Sequence, residues 1–258
     1  MSLLITHQDG VAVLTLNRPE VHNAFDDALI AALTAAYAAA GQDPAVRAIL
    51  LRAEGPSFCS GGDLNWMRRM AAYSVEDNLD DARRLGALMH TIDACPKPTL
   101  ARVQGSAFAG AIGLIACSDI AVAVPEALFA VTEVRIGLIP AVISPYLVRA
   151  MGARQARRYF LTAERFDAQT ALALGLIHEV VPTDALDATI ARYLKALAAG
   201  SPAAIAATKQ LVAAVDQPLS DEVIADTSRR IADQRASRDG REGLTAFLEK
   251  RKPEWGHS

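Results

Sequence analysis

Two glycine-bearing turns in this sequence could bind a developing negative charge through their backbone N–H groups. Residues 105–110 form a turn between an apolar run and the apolar residues 111–117, a pattern that predicts a strand, a turn and a short helix. The first N–H groups of a helix lack intrahelical partners and lie at the positive end of the helix dipole. The other turn contains Ser60, Gly61 and Gly62. One N–H from each turn would make a two-donor oxyanion hole, although plain chain connections fit the same glycine pattern.

One carboxylate, Glu133, lies in a mostly apolar stretch, Phe129-Ala130-Val131-Thr132-Glu133-Val134-Arg135-Ile136-Gly137. Burial disfavours the charged form of a carboxyl group and therefore raises its pKa. A carboxyl group with a raised pKa can act as a general acid and base near neutral pH. An ion pair between Glu133 and Arg135, or another surface cation, fits the same residues equally well.

Strands and helices alternate along the first 181 residues, and these elements must position the two turns and the glutamate. Residues 3–6 and 11–16 alternate around Asp9-Gly10, which predicts a β-hairpin. Apolar runs at 48–52, 99–104, 119–124 and 176–181 predict buried strands, with helices between them. From Thr183 onward the pattern is helical only. We therefore predict an α/β fold with a parallel sheet and a helical C-terminal region.

The composition excludes several classes of protein. The 258 residues are 52% apolar and carry a net charge of −3, which excludes a largely disordered chain. The charge disfavours binding to nucleic acid or a membrane surface. We see no signal peptide, and residues 107–116 are too few to span a bilayer. Three cysteines do not indicate a disulfide framework, so we expect a cytoplasmic protein. No metal site is predicted, because His90 and His178 lack partners at ligand spacing.

Motifs in a fixed order resemble those of the crotonase superfamily. They run from about residue 3 to residue 182, and no single one would be specific. The motifs are Asn17-Arg18-Pro19 with Asn23-Ala24, Phe58-Cys59-Ser60-Gly61-Gly62-Asp63-Leu64, Gln104-Gly105 with Ala107, Ala109 and Gly110, Cys117-Ser118-Asp119-Ile120, Glu133 between Phe129 and Pro140, and Gly175-Leu176-Ile177. Residues 61–67 and 133–146 resemble a subgroup of methylglutaconyl-CoA or isohexenylglutaconyl-CoA hydratases, which act in leucine or acyclic terpene breakdown.

The resemblance implies a spiral of ββα units with a C-terminal helical region that mediates trimerisation. We expect the spiral catalytic core to occupy residues 1–190 and the oligomerisation region residues 191–258, in a homotrimer or a dimer of trimers. The implied partner is an acyl-CoA substrate, with no cofactor beyond the coenzyme A moiety of that substrate. The N–H groups of Ser60 and Gly110 are the implied oxyanion hole, and Glu133 is the implied catalytic acid and base.

Gly113 departs from the pattern of the hydratases that the chain resembles. Those hydratases usually carry a second catalytic glutamate at this position, three residues after Gly110, and glycine cannot transfer a proton. An enoyl-CoA hydratase in which Glu133 performs both proton transfers is our leading hypothesis. An enoyl-CoA isomerase, in which a single glutamate moves a proton between the α- and γ-carbons, is the alternative. A non-catalytic acyl-CoA-binding or RNA-binding relative is a third hypothesis, and the retained Glu133 argues against it.

Further residues are candidates for substrate contacts. His22 precedes Asn23-Ala24 in the segment that such proteins use to contact the coenzyme A nucleotide. Arg135 or Arg149 could pair with a distal carboxylate, and Trp66 and Met67 could line the acyl pocket. Candidates for the coenzyme A phosphates and adenine are Lys209, Phe247, Lys250 and Arg251. The resemblance implies the following substrate-binding residues: Val21, His22, Ala24, Gly61, Gly62, Asp63, Leu64, Gly113, Thr132 and Pro140.

Overall fold

The computed structural model describes residues 1–257 and begins with the predicted β-hairpin. Strands β1 (Leu3–Gln8) and β2 (Val11–Leu16) pair antiparallel. The turn residues Asp9 and Gly10 both have positive φ values, 49° and 75°, as a tight two-residue hairpin turn with the twist of the strands requires. The hairpin prediction is therefore confirmed.

A unit of two strands followed by helical structure repeats along the next part of the chain. The first strand of each unit joins a large sheet, and the second, shorter strand joins a small sheet. The first strands are β3 (Ala48–Ala53), β5 (Thr99–Val103) and β7 (Ile120–Ala123), and the second strands are β4 (Ser57–Cys59), β6 (Ser106–Phe108) and β8 (Leu128–Ala130).

Two very short strands, β9 (Phe166–Asp167) and β10 (Glu179–Val180), complete the two sheets. The large sheet has the order β1-β2-β3-β5-β7-β10, and the small sheet has the order β4-β6-β8-β9. From β2 to β10 every pair in the large sheet is parallel. This arrangement is the predicted α/β fold, in which the chain returns to the same two sheets at each turn of a spiral.

The helices connect and cover these strands. They are α1 (Asp27–Gln42), α2 (Leu64–Met70), α3 (Val75–Asp93), α4 (Gly110–Ala116), α5 (Ser144–Met151), α6 (Ala153–Thr162), α7 (Ala168–Ala173), α8 (Leu186–Ala198), α9 (Pro202–Val215), α10 (Asp221–Ala236) and α11 (Arg238–Leu248).

Side-chain caps fix where the helices near the sheets begin. Asp26 and Asp63 accept hydrogen bonds from backbone N–H groups in the first turns of α1 and α2. Ser74 and Asp77 form a reciprocal capping box at the start of α3, which satisfies two N–H groups that would otherwise lack partners. The start of α2 is therefore fixed directly after the turn at residues 60–62, which is the first of the two along the chain and is called the first glycine-bearing turn below.

The C-terminal helices are attached to the core at a few points. In α8, Leu186 and Ile190 are buried among the core side chains, so the predicted division at residues 190/191 falls inside this helix and stays a prediction. In α9, Lys209 donates to Asp119 at 2.6 Å and to the carbonyl of Lys97 at 3.1 Å. Several large apolar side chains of this region are exposed: Val212, Leu219, Ile224, Ile231, Leu244, Phe247 and Leu248.

Candidate active site

A cavity of about 300 Å³ lies where the first glycine-bearing turn, α2, α3, the start of α4 and residues 133–143 meet. Its wall is mainly apolar, and Glu133, Asp81 and Asn78 are its polar side chains. The other lining residues are Phe25, Gly62, Trp66, Met67, Met70, Ala82, Leu85, Ala109, Gly110, Ile136, Leu138, Ile139, Pro140, Ala141, Val142 and Ile143. Of the residues predicted from the sequence, this cavity brings together Glu133, Gly110, Gly62, Pro140, Trp66 and Met67.

Two backbone N–H groups at the cavity have no acceptor in the described part of the chain. Gly110 is the first residue of α4, so its N–H precedes the intrahelical hydrogen bonds. Phe25 forms a parallel bridge with Gly62 in which the Phe25 N–H donates to Gly61 and the Asp63 N–H donates to Phe25, each at 2.9 Å. This bridge leaves the Gly62 N–H unused, and both glycines line the cavity.

The structure corrects the assignment of Ser60 as a backbone donor. The Ser60 N–H donates to the carbonyl oxygen of His22 at 3.0 Å, so it is already occupied by the protein. Ser60 also lies outside the residues that line the cavity. Gly62, two residues further along the same turn, is the residue of this loop that lines the cavity with an unoccupied N–H.

The backbone around Gly110 is tightly constrained. A Cβ atom on Gly110 would lie 2.7 Å from Cζ of Phe25, so only glycine fits beneath this ring. The preceding residue, Ala109, has φ 51° and ψ −132°, a conformation that side-chain-bearing residues rarely adopt and that costs about 1–3 kcal/mol. The surrounding structure holds this strain, since the Ala109 N–H donates to Ala130 in β8 at 2.9 Å.

Glu133 is the carboxyl group most affected by burial in this cavity. Desolvation raises its pKa above the ordinary value, and the N–H groups of Glu133 and Thr132 oppose the shift only in part. Its Oε2 atom is buried and has no hydrogen-bond partner. The alternative pairing with Arg135 is not formed, because the Arg135 guanidinium donates to the carbonyl of Ala163 at 2.7 Å. A desolvated carboxyl group with an unused oxygen is suited to exchanging protons with a ligand.

Gly113 was predicted to contact substrate, and the structure places it elsewhere. It is buried in α4 and does not line the cavity. A Cβ atom on Gly113 would lie 2.4 Å from Cγ2 of Ile143 and 3.0 Å from Sδ of Met89. Ile143 lines the cavity, so its side chain occupies the space into which a larger residue at position 113 would project.

We expect Gly113→Ala to lower the free energy of unfolding by about 1–3 kcal/mol, because the added methyl group overpacks this contact. Ile143→Ala should make room for that methyl group, so the double variant should lose less than the sum of the two single losses. Urea denaturation of the four proteins measures this coupling. Simple additivity would show that Ile143 does not exclude a side chain at position 113.

Several predicted substrate-binding residues instead support the first glycine-bearing turn. Asp63 is buried, pairs with Arg18 at 2.8 Å and caps α2. Ala24 is buried, and its carbonyl accepts from Arg18 at 2.9 Å. Gly61 has φ 93° and accepts from the Phe25 N–H. These residues hold the turn in place and lie outside the cavity wall.

The remaining predicted contacts lie at the surface or beside the cavity. Leu64 is 69% exposed, and Val21 is exposed in a short 3-10 helix that ends at His22. The His22 ring contacts the Ser57 hydroxyl at 2.9 Å. Thr132 directly precedes the 3-10 helix Glu133–Ile136. None of these four predicted contacts, Leu64, Val21, His22 and Thr132, lines the 300 Å³ cavity.

The predicted cationic contacts are paired away from the cavity. Arg149 forms an ion pair with Asp93, and both Arg149 and Lys209 line a different cavity of about 740 Å³. Arg251 pairs with Glu242 at 2.7 Å. Phe247 is 80% exposed, and Lys250 is exposed two residues after the end of α11. The lining of the 300 Å³ cavity includes no Lys, Arg or His from residues 1–255.

Sequence reasoning did not single out Phe25, Asn78, Asp81 or Ile143. Asn78, Asp81, Ala82 and Leu85 all line the cavity from α3. Their spacing of three, four and seven residues places them on one helix face, and that spacing was a signal available in the sequence.

In residues 1–255 no group of three or more His, Cys, Asp or Glu side chains could hold a metal ion. Within the same part of the chain, no helix combines the length and apolar character needed to cross a bilayer. Cys59 is fully buried, and burial raises the pKa of its thiol to about 12, so a nucleophilic role for this thiol is disfavoured.

Comparison with known proteins leads to the same family as the sequence motifs. The family model for enoyl-CoA hydratase/isomerase matches residues 6–258. The chain belongs to the enoyl-CoA hydratase/isomerase family. Among similar proteins of this family, the enoyl-CoA hydratase ACTT6 of Alternaria alternata is 36% identical over 208 residues, covering 80% of this chain and 68% of that protein.

Solved structures resemble this member of the enoyl-CoA hydratase/isomerase family over nearly its whole length. The crystal structure of an enoyl-CoA hydratase from Shewanella pealeana is 48% identical, with a TM-score of 0.96 over 99% of this chain and 96% of that chain. Pseudomonas aeruginosa AtuE is 38% identical, with a TM-score of 0.95 over 100% of both chains. The predicted superfamily and its α/β fold are therefore confirmed.

Proposed function

We propose that this protein is an enoyl-CoA hydratase that adds water across the 2,3 double bond of an enoyl-CoA thioester. The observation that carries the proposal is the meeting of three groups in one apolar cavity. These groups are the Glu133 carboxyl, with its unpartnered Oε2, and the unused N–H groups of Gly62 and Gly110. The names of similar proteins, which include enoyl-CoA hydratases, support the same reaction.

The proposed reaction assigns one role to each group. The carboxylate of Glu133 accepts a proton from water while the water oxygen adds to the β-carbon. The thioester then becomes an enolate, and the N–H groups of Gly62 and Gly110 donate to its oxygen. Glu133 returns the proton to the α-carbon, so the carboxylate is regenerated and atoms balance. The apolar wall strengthens the hydrogen bonds by excluding competing water.

The alternative is an enoyl-CoA isomerase, and Gly113 favours it. An isomerase removes a proton from one carbon and returns it to another, so one carboxyl group and an oxyanion hole are sufficient. The space beside Gly113 holds Ile143 and no carboxyl group. Glu133 is therefore the glutamate of the usual hydratase pair that this chain retains.

The acyl group is proposed to be branched or carboxylated, as in the subgroup that the sequence resembles, and a branched, uncharged group fits the cavity wall better. The mainly apolar wall of the 300 Å³ cavity supports this part of the proposal. A distal carboxylate, as in 3-methylglutaconyl-CoA, would find no cation in the described cavity wall, since Arg135 and Arg149 bind other groups. Carboxylated and uncharged thioesters therefore belong in the same test.

A panel of thioesters distinguishes the two reactions. We expect trans-2-enoyl-CoA substrates, with 3-methylglutaconyl-CoA among them, to lose the absorbance of the conjugated thioester as water adds. A 3-enoyl-CoA tested beside them should show little change. Gain of conjugation from the 3-enoyl-CoA, with no loss from the 2-enoyl-CoA panel, would assign the isomerase activity instead.

The assembly, location and partners are part of the same proposal. We propose a homotrimer or a dimer of trimers, supported by the exposed apolar side chains of α9–α11, since large exposed apolar patches commonly mark interfaces. Sedimentation equilibrium measures the mass directly. A cytoplasmic location is supported by three free, buried cysteines. The coenzyme A part of the substrate is the only cofactor-like group proposed, with His22 beside its nucleotide.

A further inference from the structure

Asp81 is a buried carboxylate that the proposed reaction does not use. It lies on α3, is 8% exposed and lines the same cavity as Glu133. Its Oδ1 atom accepts a hydrogen bond from Nε1 of Trp66 at 3.2 Å. No Lys, Arg or His among the described residues forms an ion pair with it. The hydrogen bond from Trp66 is therefore the side-chain contact through which Asp81 can act on the cavity wall.

The indole ring of Trp66 connects Asp81 to the backbone of the first glycine-bearing turn. A Cβ atom on Gly62 would lie 3.5 Å from Cε3 and Cζ3 of Trp66, an ordinary van der Waals contact. The edge that carries Nε1 contacts Asp81, and the benzene edge faces Gly62. The benzene edge of the indole therefore lies beside Gly62 at a distance that would leave room for a Cβ atom.

Trp66 also reaches the second turn through Phe25. The two rings lie 5.8 Å apart between centroids at an angle of 55°, a favourable tilted arrangement for aromatic rings. The Phe25 ring in turn covers Gly110, where it leaves no space for a Cβ atom. The indole thus lies beside Gly62, and the Phe25 ring against which it packs covers Gly110.

We infer that Asp81 is a positioning residue for the oxyanion hole. By accepting the Trp66 N–H, it fixes the indole ring, and the indole and Phe25 rings hold the backbones of Gly62 and Gly110 at the separation that one oxyanion requires. Displacement of such donors by about 1 Å costs on the order of a hundredfold in rate. The inference rests on the proposed function, because it assigns these two N–H groups to the thioester oxygen.

Three variants separate the hydrogen bond from the charge of Asp81. Asp81→Leu removes the acceptor and places an apolar side chain of similar size there, and Trp66→Phe removes the donor but keeps an aromatic ring. Asp81→Asn removes the charge but keeps an oxygen that can accept from Nε1. We expect the first two to lower kcat by at least about tenfold with KM within about threefold, because the loss occurs in the transition state. Asp81→Asn should stay within about threefold of the wild-type kcat.

The double variant tests whether Asp81 and Trp66 act through one contact. Asp81→Leu combined with Trp66→Phe should be no slower than the slower single variant, because each change already removes the same hydrogen bond. Independent losses that multiply would overturn the inference. So would a wild-type kcat in Asp81→Leu, or an Asp81→Asn variant as slow as Asp81→Leu.

Tryptophan emission tests the contact without any substrate. The chain has two tryptophans, so Trp255→Phe leaves Trp66 as the only emitter. In that background and under excitation selective for tryptophan over the five tyrosines, Asp81→Leu should shift the emission of Trp66, whereas Asp81→Asn should leave it nearly unchanged. An unchanged spectrum in Asp81→Leu overturns the inference. If the thioester panel shows neither reaction while the emission shifts as expected, the proposed function fails and the Asp81–Trp66 contact stands.

Discussion

Replacing Glu133 with Gln is expected to lower kcat by about 10²–10⁴-fold, the usual contribution of a positioned general acid and base. The amide keeps nearly the same shape but can neither accept a proton from water nor return one to the α-carbon. Binding of a saturated acyl-CoA should change little, because the N–H groups of Gly62 and Gly110 remain. Steady-state kinetics and calorimetric titration with the saturated thioester measure the two effects separately.

The matched control is Glu126→Gln, which changes an exposed glutamate in the turn between β7 and β8. This variant should retain wild-type kcat and wild-type thioester binding. A Glu133→Gln enzyme with the kcat of the control would show that another group transfers the proton. Loss of thioester binding in Glu133→Gln would show that the carboxyl group acts in binding rather than in catalysis.

Glu133→Gln should also raise the free energy of unfolding at neutral pH. Because desolvation raises the pKa of Glu133, the folded protein retains this proton at pH values where the unfolded chain, with an ordinary value of 4.5, has released it. The contribution of Glu133 to the free energy of unfolding therefore falls as the pH rises from that ordinary value through the raised folded-state pKa. Glu133→Gln does not titrate, so its advantage in urea denaturation should be smallest at low pH and largest above the raised pKa.

Local patterns were sufficient to predict the large sheet, but they missed the small one. Strand β3 shows in the sequence because its apolar run is long and is buried on both faces. Strands β4, β6 and β8 have three residues each, too few for a period of two to be recognised. Their pairing forms across sequence separations of about 20–50 residues, so no local signal marks them.

The choice between two N–H groups of one turn also depends on distant contacts. The motif around residues 58–64 indicated the right loop, yet Ser60 was assigned as the donor. In the fold, the carbonyl of His22 occupies the Ser60 N–H, and the bridge to Phe25 leaves the Gly62 N–H unused. These partners lie more than 30 residues away in the chain. Sequence reasoning therefore identified the turn, and only packing identifies which of its groups is available.

The departure at Gly113 has a similar explanation. The sequence shows that a carboxyl group is missing, but it does not show what replaces it. Ile143, thirty residues later, occupies the space against the Gly113 backbone. The absence of a side chain at position 113 and the presence of Ile143 in that space therefore depend on each other. The residue type at position 113 alone does not reveal this packing.

Gly110→Pro is expected to lower kcat by about 10²–10³-fold, because it removes one donor of the proposed oxyanion hole. Proline is tolerated at the first position of a helix, so α4 can still begin there. The added ring atoms collide with Phe25, however, since even a Cβ atom would lie 2.7 Å from its Cζ. Gly110→Pro should therefore be made in a Phe25→Leu background, because leucine lacks that atom.

Gly110→Ala in the same background separates the lost donor from the added bulk. It keeps the N–H, so it should retain kcat within about threefold of Phe25→Leu, whereas Gly110→Pro should remain two to three orders of magnitude slower. Thermal unfolding confirms that the compared proteins are folded. Equal kcat values near that of Phe25→Leu would show that the Gly110 N–H does not bind the reacting oxygen. Equal and severe losses would assign the effect to the added bulk instead of the lost donor.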